Sequence, residues 1–369
     1  MALAGQVPVA AGMTAAHAAN GNALKTGATQ QQPVVWRLVS DFPEVLEAPR
    51  VGIETFIRTV NELADGRMRI EHKAATQSSK RGAVAQSVQA LEAVQGKEAE
   101  IAYTMPAFHA DTSPVFAFSG GLPFGPNARQ FDAWLSQGRG LDLLNEAYKA
   151  HGIHALPGGN TGALMGGWYR REIVSAQDFQ GLKIAATGLS ATMLQARGVI
   201  VQSLPPQAMA AALEKGEIEG ALWNGPHDDE LLGLNKAAPF YYYPGWLGGS
   251  PSFFYIRLSS WEALEKPLQT VCTVAALAAQ RAVQAHYDAA NPPAIKRVVA
   301  TGARLRPFPQ PVLESLFVAA REGAEKLSAE DTAFRTLYDS IRIFRDQSYL
   351  WWQVAEYPYD NFQIRLRGR

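Results

Sequence analysis

His227-Asp228-Asp229-Glu230 is the one cluster of cation-ligand side chains in the sequence, and it follows Trp223-Asn224-Gly225-Pro226. Such residues coordinate metals or move protons when they converge. Contiguous residues on a helix point different ways, however, so only His227 and Glu230 would share a face. Acidic residues just after a proline also suit a first helical turn, where the macrodipole favours them. The helix start is the preferred reading, with a ligand contact and a metal site as its alternatives. Cys272, the only cysteine, lies in an Ala- and Val-rich helical stretch, where a small buried apolar role fits better than a nucleophile. There is no G-x-S-x-G, H-E-x-x-H or Walker-type G-x-x-x-x-G-K, and the glycines between Gly158 and Gly167 fit tight turns better than a phosphate loop. No catalytic residue, metal or cofactor is therefore assigned.

These side chains need strand ends and helix starts to hold them. Val34 to Ser40, Met68 to Lys73 and Ala99 to Thr104 read as strands. Between them lie a helix from Val51 to Ala64, a loop from Gln77 to Gly82 and a helix ending near Val94, a β-α-β-α-β run that predicts a parallel sheet. Further strands are expected at Ile153 to Pro157, Leu164 to Arg170, Leu182 to Ala186, Val199 to Ser203 and Gly220 to Trp223. A turn falls at Gly158-Gly159-Asn160, and helices at Ala191 to Ala196 and Pro206 to Lys215. The chain is then expected to return to the first sheet through Tyr241 to Tyr243 and Ser252 to Arg257. Pro267 to Ala290 has no internal Gly or Pro and predicts a helix about 36 Å long. Phe334, Leu337, Ile341 and Phe344 recur at spacings of three and four, giving a C-terminal helix one apolar face.

With 369 residues, two domains are the default, and 47% apolar against 18% charged residues is a globular balance. Lys plus Arg equal Asp plus Glu at 34 each, so no net field attracts nucleic acid. No apolar run approaches the length of a membrane span. Residues 1–33 are Ala-, Gly-, Thr- and Gln-rich and are read as a leader remnant or flexible arm. Ala16-His17-Ala18 has the spacing of a cleavage site, but the basic n-region of a secretory signal is missing.

The stretches GGNTGALMGGWYRREI (158–173), FQGLKIAATGL (179–189), GALWNGPHDDELLGLNKAAPFYYYPGW (220–246), AFSGGLPFGPNARQFDAW (117–134) and WRLVSDFP (36–43) resemble solute-binding receptors of TRAP (tripartite ATP-independent periplasmic) transporters, in their 2-oxoacid-binding branch. The resemblance runs from about Val34 to Trp352. It implies an α/β, periplasmic-binding-protein-like two-domain clamp with a long domain-spanning helix and a helical C-terminus. It also implies a periplasmic receptor, not an enzyme, that closes on a small molecule and hands it to integral-membrane permease subunits. Domain I is expected to start at residues 34–157, domain II to take 158–240, and 241–369 to return to domain I with the long and C-terminal helices. In some members of the branch a C-terminal helix mediates dimers; here a homodimer and packing of that helix on its own domain are both open.

Three positions depart from the family pattern. Ala185 stands where the branch has an arginine gripping the ligand carboxylate. Leu164 replaces a glutamine, and Leu222 a glutamate, that help hold a sodium ion. A carboxylate buried without its partner carries several kcal/mol of desolvation cost. The expected ligand is therefore larger, neutral or mostly apolar, walled by Tyr103, Phe108, Leu164, Ala185, Leu222, Trp223, Tyr243 and Trp246, with Asn160 and Asn224 giving orienting hydrogen bonds. The alternatives are a monocarboxylate or 2-oxoacid receptor with a relocated anion site, served by Arg170, Arg171 or Lys183, and, in another class, an α/β enzyme.

Overall fold

Trp36 and Leu38 alternate with more exposed neighbours along β1 (Val34–Ser40), which lies inside a sheet and feeds α1 (Glu47–Leu63) and β2 (Met68–His72). The computed structural model describes residues 32–73 and 90–367; the predicted arm, the 77–82 loop and the start of the helix ending near Val94 lie outside them. Next come α2 (Ala90–Gln95) and β3 (Ile101–Thr104). β1 pairs in parallel with both β2 and β3, as a β-α-β-α-β run requires. α1 buries Ile53, Phe56 and Val60 on one face, and the Phe56 ring stacks on Phe254 at 4.1 Å between centroids. Burial of one such ring is worth about 1.5–3 kcal/mol.

A 3-10 turn (Pro106–His109), α3 (Pro114–Ser119), α4 (Ala128–Gln137) and α5 (Gly140–Tyr148) lead into β4 (Ile153–Asn160). The predicted turn at Gly158-Gly159-Asn160 is instead strand, paired with Ser252 and Pro251. Glycine is required by packing here. A Cβ on Gly158 would sit 2.7 Å from the Tyr103 ring, and one on Gly159 2.6 Å from Ser252 Oγ.

The second sheet collects β5 (Gly167–Tyr169), β6 (Lys183–Ala185), β7 (Ile200–Gln202), β8 (Gly220–Ala221) and β9 (Phe240–Tyr243). Between these strands lie α6 (Gly188–Gln195), α7 (Pro206–Lys215), α8 (Pro226–Leu231) and α9 (Leu234–Ala237). The chain then returns to the first sheet as β10 (Pro251–Arg257), continues through α10 (Leu258–Ala263) and α11 (Lys266–Ala300), and adds β11 (Arg304–Pro307) to the second sheet. α12 (Gln310–Glu330), α13 (Thr332–Trp351) and α14 (Tyr357–Leu366) follow, the last two joined by a π-helical turn at Trp352–Glu356. Strand order is β2-β1-β3-β10-β4 in one sheet and β11-β9-β5-β8-β6-β7 in the other.

The expected domain boundaries shift accordingly. Tyr241 to Tyr243 belong to the second sheet, not the first, because Tyr241 stacks on Trp168 at 4.0 Å and β9 pairs with β5. β11 joins the same sheet, so the assignment of all of 241–369 to domain I does not hold. The return begins at Pro251.

α11 runs 35 residues, about 52 Å at 1.5 Å per residue, and passes the expected stop before Pro292 and Pro293. Both prolines are exposed, and so are residues 288 and 289, whose carbonyls lose their amide partners on the solvent side of the helix. The buried face continues across the break, from Ala276, Ala279, Val283 and Tyr287 to Ala294 and Val298. The predicted apolar face of α13 packs on its own half: Phe334 meets Phe118 edge to face at 5.7 Å, and Trp134 Nε1 donates to Ser340 Oγ at 3.1 Å. Beyond it Leu350, Trp351, Val354, Tyr357, Tyr359, Phe362 and Ile364 are each at least 60% exposed.

Candidate ligand-binding site

Two segments, residues 161–166 and 244–250, carry the chain between the sheets and run side by side. Thr161 N donates to Ser250 O at 3.2 Å, Leu164 N to Leu247 O at 3.1 Å and Gly245 N to Leu164 O at 3.2 Å. Ser250 N in turn donates to Thr161 Oγ1 at 3.0 Å. A side chain on Gly245 would strike the Leu164 carbonyl, and one on Gly249 the Asn160 amide. Glycine is what lets the two connections lie this close.

Against them sits a cavity of about 40 Å³, room for about three water molecules. Leu164, Met165, Trp246, Leu247 and Ser250 come from the connections; Leu222, Trp223 and Asn224 come from the end of β8. The start of α6, Thr187 to Ser190, closes one side, and Met105, Ala107 and Gly121 another. A larger groove of about 440 Å³ lies along α6, α12 and α13, where Arg342 pairs with Asp339, Arg345 with Asp346 and Arg321 with Glu325, and Arg335 donates to Thr332 Oγ1 at 3.1 Å. The smaller cavity is the one at strand ends, where open α/β sheets bind ligands.

Five predicted wall residues meet there: Leu164, Leu222, Trp223, Asn224 and Trp246. Trp246 Nε1 donates to Ser190 Oγ at 2.9 Å, joining the second connection to α6. Phe108 stands behind the wall, stacked on Trp223 at 6.0 Å between centroids. Ala185 is fully buried in the core with Trp168 and Met209, and does not line the cavity. Tyr103 is likewise buried, bonding Ser252 Oγ at 3.0 Å and donating to Gly158 O at 3.2 Å. Asn160 turns its Oδ1 to the Gly162 amide at 3.1 Å. Tyr243 alternates outward from Tyr242 and is 42% exposed. Arg170, Arg171 and Lys183 are all exposed and none reaches the cavity. A helix was expected here, but its start was not counted among the wall residues; Thr187-Gly188 after a strand and before an apolar helix was the signal, and Gly188 has φ +60°.

The 227–230 cluster does start a helix, but its side chains disperse to separate partners. Asp229 Oδ2 accepts from Trp168 Nε1 at 2.9 Å and from Tyr241 OH at 2.7 Å. Burial pushes its carboxyl up to about 7 against the pull of those donors. Asp228 Oδ2 accepts from Asn224 Nδ2 and Tyr287 OH, both at 2.8 Å; burial again dominates and raises it. Glu230 pairs with Arg297 at 2.7 Å, so His227 and Glu230 do not act together. Asn224 thus has its amide nitrogen engaged while its Oδ1 is buried with no hydrogen-bond partner. The neighbouring Trp223 indole N–H is directed at the Asp228 carboxyl, so Asn224 Oδ1 is the unmatched acceptor on the wall.

Two sheets joined by paired connections, with a cavity where they meet and a long helix along both, define a solute-binding clamp. The chain matches the bacterial extracellular solute-binding protein family 7 over residues 50–331, and it belongs to that family. It is 37% identical over 330 residues, 89% of either chain, to a monocarboxylate 2-oxoacid-binding periplasmic protein of Nostoc sp.. It is also similar to a TRAP transporter solute-binding protein from Bordetella bronchiseptica, a dimer with copurified calcium and picolinate, at 34% identity and TM-score 0.86 over 92% of this chain and 99% of that one. A Colwellia psychrerythraea TRAP periplasmic solute-binding protein with bound calcium and pyruvate gives 26% identity and TM-score 0.84 over 89% and 99%. The protein is an extracytoplasmic TRAP solute receptor of the periplasm and not an enzyme, and receptors of this kind work with membrane permease components. The cavity does not fit the cation of those relatives. Calcium takes six to eight oxygens, carboxylates prominent among them, and among the described residues no Asp or Glu lines this wall.

Proposed function

We propose that this receptor captures a small, neutral, largely apolar solute bearing a hydrogen-bond donor, and delivers it to a TRAP permease. The observation that carries this reading is the wall itself. Among the described residues no Arg, Lys, His, Asp or Glu lines the cavity, while Asn224 Oδ1 is buried without a donor. A hydroxyl or amide N–H serves that oxygen; a carboxylate offers only acceptors. Without a cationic partner, a buried carboxylate would also bear several kcal/mol of desolvation cost. The expectation of a larger ligand gains nothing from a cavity of about 40 Å³, so the proposal rests on charge. Capture proceeds by closure of the two sheets about residues 161–166 and 244–250, with no bond made or broken.

A second reading, a 2-oxoacid receptor with its anion held elsewhere, is favoured by the relatives and by the first turn of α6 at the cavity, since backbone amides at a helix start attract anions. Thermal melts separate the two. Pyruvate at millimolar concentration with sodium or calcium is expected to leave the melting temperature unchanged, because stabilisation by a ligand follows its concentration over Kd. A shift of several degrees selects the second reading. Leu164→Gln with Leu222→Glu should place oxygens for a hard cation on the cavity wall and create cation-dependent pyruvate binding. A well-folded double variant that ignores pyruvate with sodium or calcium present sinks the account of the lost cation ligands. We also propose that two copies associate through the exposed apolar side chains between Leu350 and Ile364, a reading supported by the dimeric Bordetella relative.

A further inference from the structure

Glu47 at the start of α1, His227 at the start of α8 and His286 in the middle of α11 bring three ligand atoms to one point. His227 Nε2 lies 3.4 Å from Glu47 Oε2 and 3.4 Å from His286 Nε2, and His286 Nε2 lies 3.6 Å from Glu47 Oε2. Zinc bonds of roughly 2.0–2.2 Å in a tetrahedron demand ligand separations of about 3.3–3.6 Å. The three atoms already mark one face of that tetrahedron. None of the three residues lines the solute cavity.

We infer that Glu47, His227 and His286 bind one divalent transition-metal ion of the zinc class at the junction of α1, α8 and α11. Two imidazoles and one carboxylate are the donor set that zinc and its neighbours prefer over calcium or magnesium, which take oxygens. The frame is built before the ion arrives. Tyr287 OH donates to Asp228 Oδ2 at 2.8 Å and His227 N donates to Asn291 Oδ1 at 3.2 Å, so the residues beside each histidine already tie α8 to α11. Glu47 and His286 keep 43% and 24% of their side-chain surface, which leaves a path for the ion and a fourth position for water. α1 packs on the first sheet's β2, α8 follows β8 of the second sheet, and α11 touches both helices. The site is complete only when the two halves stand as they do here, so the ion favours that arrangement whatever the solute.

The test uses the full chain stripped by chelator and titrated with zinc chloride and, separately, cobalt chloride. The expected result is one zinc per chain by calorimetry, a higher melting temperature, and the intense visible bands of tetrahedral cobalt. Glu47→Gln and His286→Gln should each weaken zinc binding at least about tenfold, and the pair together should abolish the cobalt bands while circular dichroism stays unchanged. Absence of stoichiometric zinc binding would mean that the three groups form only a hydrogen-bonded cluster. Equal affinity in the folded double variant would place the ion elsewhere. Either outcome overturns the assignment.

Discussion

One oxygen of Asp229 joins β5, β9 and α8, because it accepts from Trp168 and Tyr241 while their rings stack. Removing the acceptor strands an indole N–H and a phenol O–H in a fully buried place, which costs about 1–3 kcal/mol for each donor. Asp229→Ala is expected to lower unfolding free energy by roughly 2–5 kcal/mol in urea melts. Asp229→Asn keeps a carbonyl acceptor and should lose distinctly less. Equal stability of the alanine variant and the unmodified protein would refute the anchoring role. This network was only half legible in the sequence. The acidic run was visible beside Trp223 and Asn224, but that Asp228 faces Tyr287 and Asp229 faces Tyr241 depends on helix rotation and on β9 lying in the second sheet. Ala185 shows the same limit: it was singled out through the family pattern, whereas its burial in the core follows from β6 lying inside the second sheet between β8 and β7. Leu164 and Leu222 entered through the resemblance alone, and Trp223 through its place at a strand end just before Gly225-Pro226.

α4 is held to α11 by Gln280 Nε2, which donates to Asp132 Oδ1 at 2.8 Å. Burial is the larger influence and pushes the Asp132 carboxyl from its ordinary 3.8 up to about 6, with the Gln280 bond opposing. The folded chain therefore binds the extra proton between those values. The stability this group lends is full below about pH 4 and is lost as pH rises through about 6, by at most about 3 kcal/mol. Asp132→Asn should match the unmodified protein in melting temperature near pH 4 and exceed it above pH 7. A difference that stays constant across that range would show that Asp132 is solvated and not buried against α11. Among elements, the strands and helices of the first β-α-β-α-β run and α7 lay close to where periodicity placed them. α11 did not, since a helix can carry prolines on its solvent side, where the freed carbonyls face water, and exposure is a tertiary property.

At the scale of the whole molecule the C-terminal segment stands apart. α13 buries Phe334, Leu337 and Ile341, whereas the chain from Leu350 to Ile364 carries seven large apolar side chains at least 60% exposed. Arg129 holds the base of this segment, pairing with Glu356 at 2.9 Å and lying over the Trp352 ring at 5.6 Å. An extended apolar surface held in helical form, with few contacts to its own body, is what a second copy can cover. Burial of each such side chain is worth about 1.5–3 kcal/mol, and in a two-fold arrangement every one counts twice. Light scattering behind a sizing column at micromolar concentration should give twice the chain mass. Trp351→Glu with Phe362→Glu should give the single chain mass, while melting of the body changes little, because neither residue reaches the two sheets. A full chain that runs as a monomer would sink the association through this helix. A dimer that persists undiminished in the double variant would place the contact on another face.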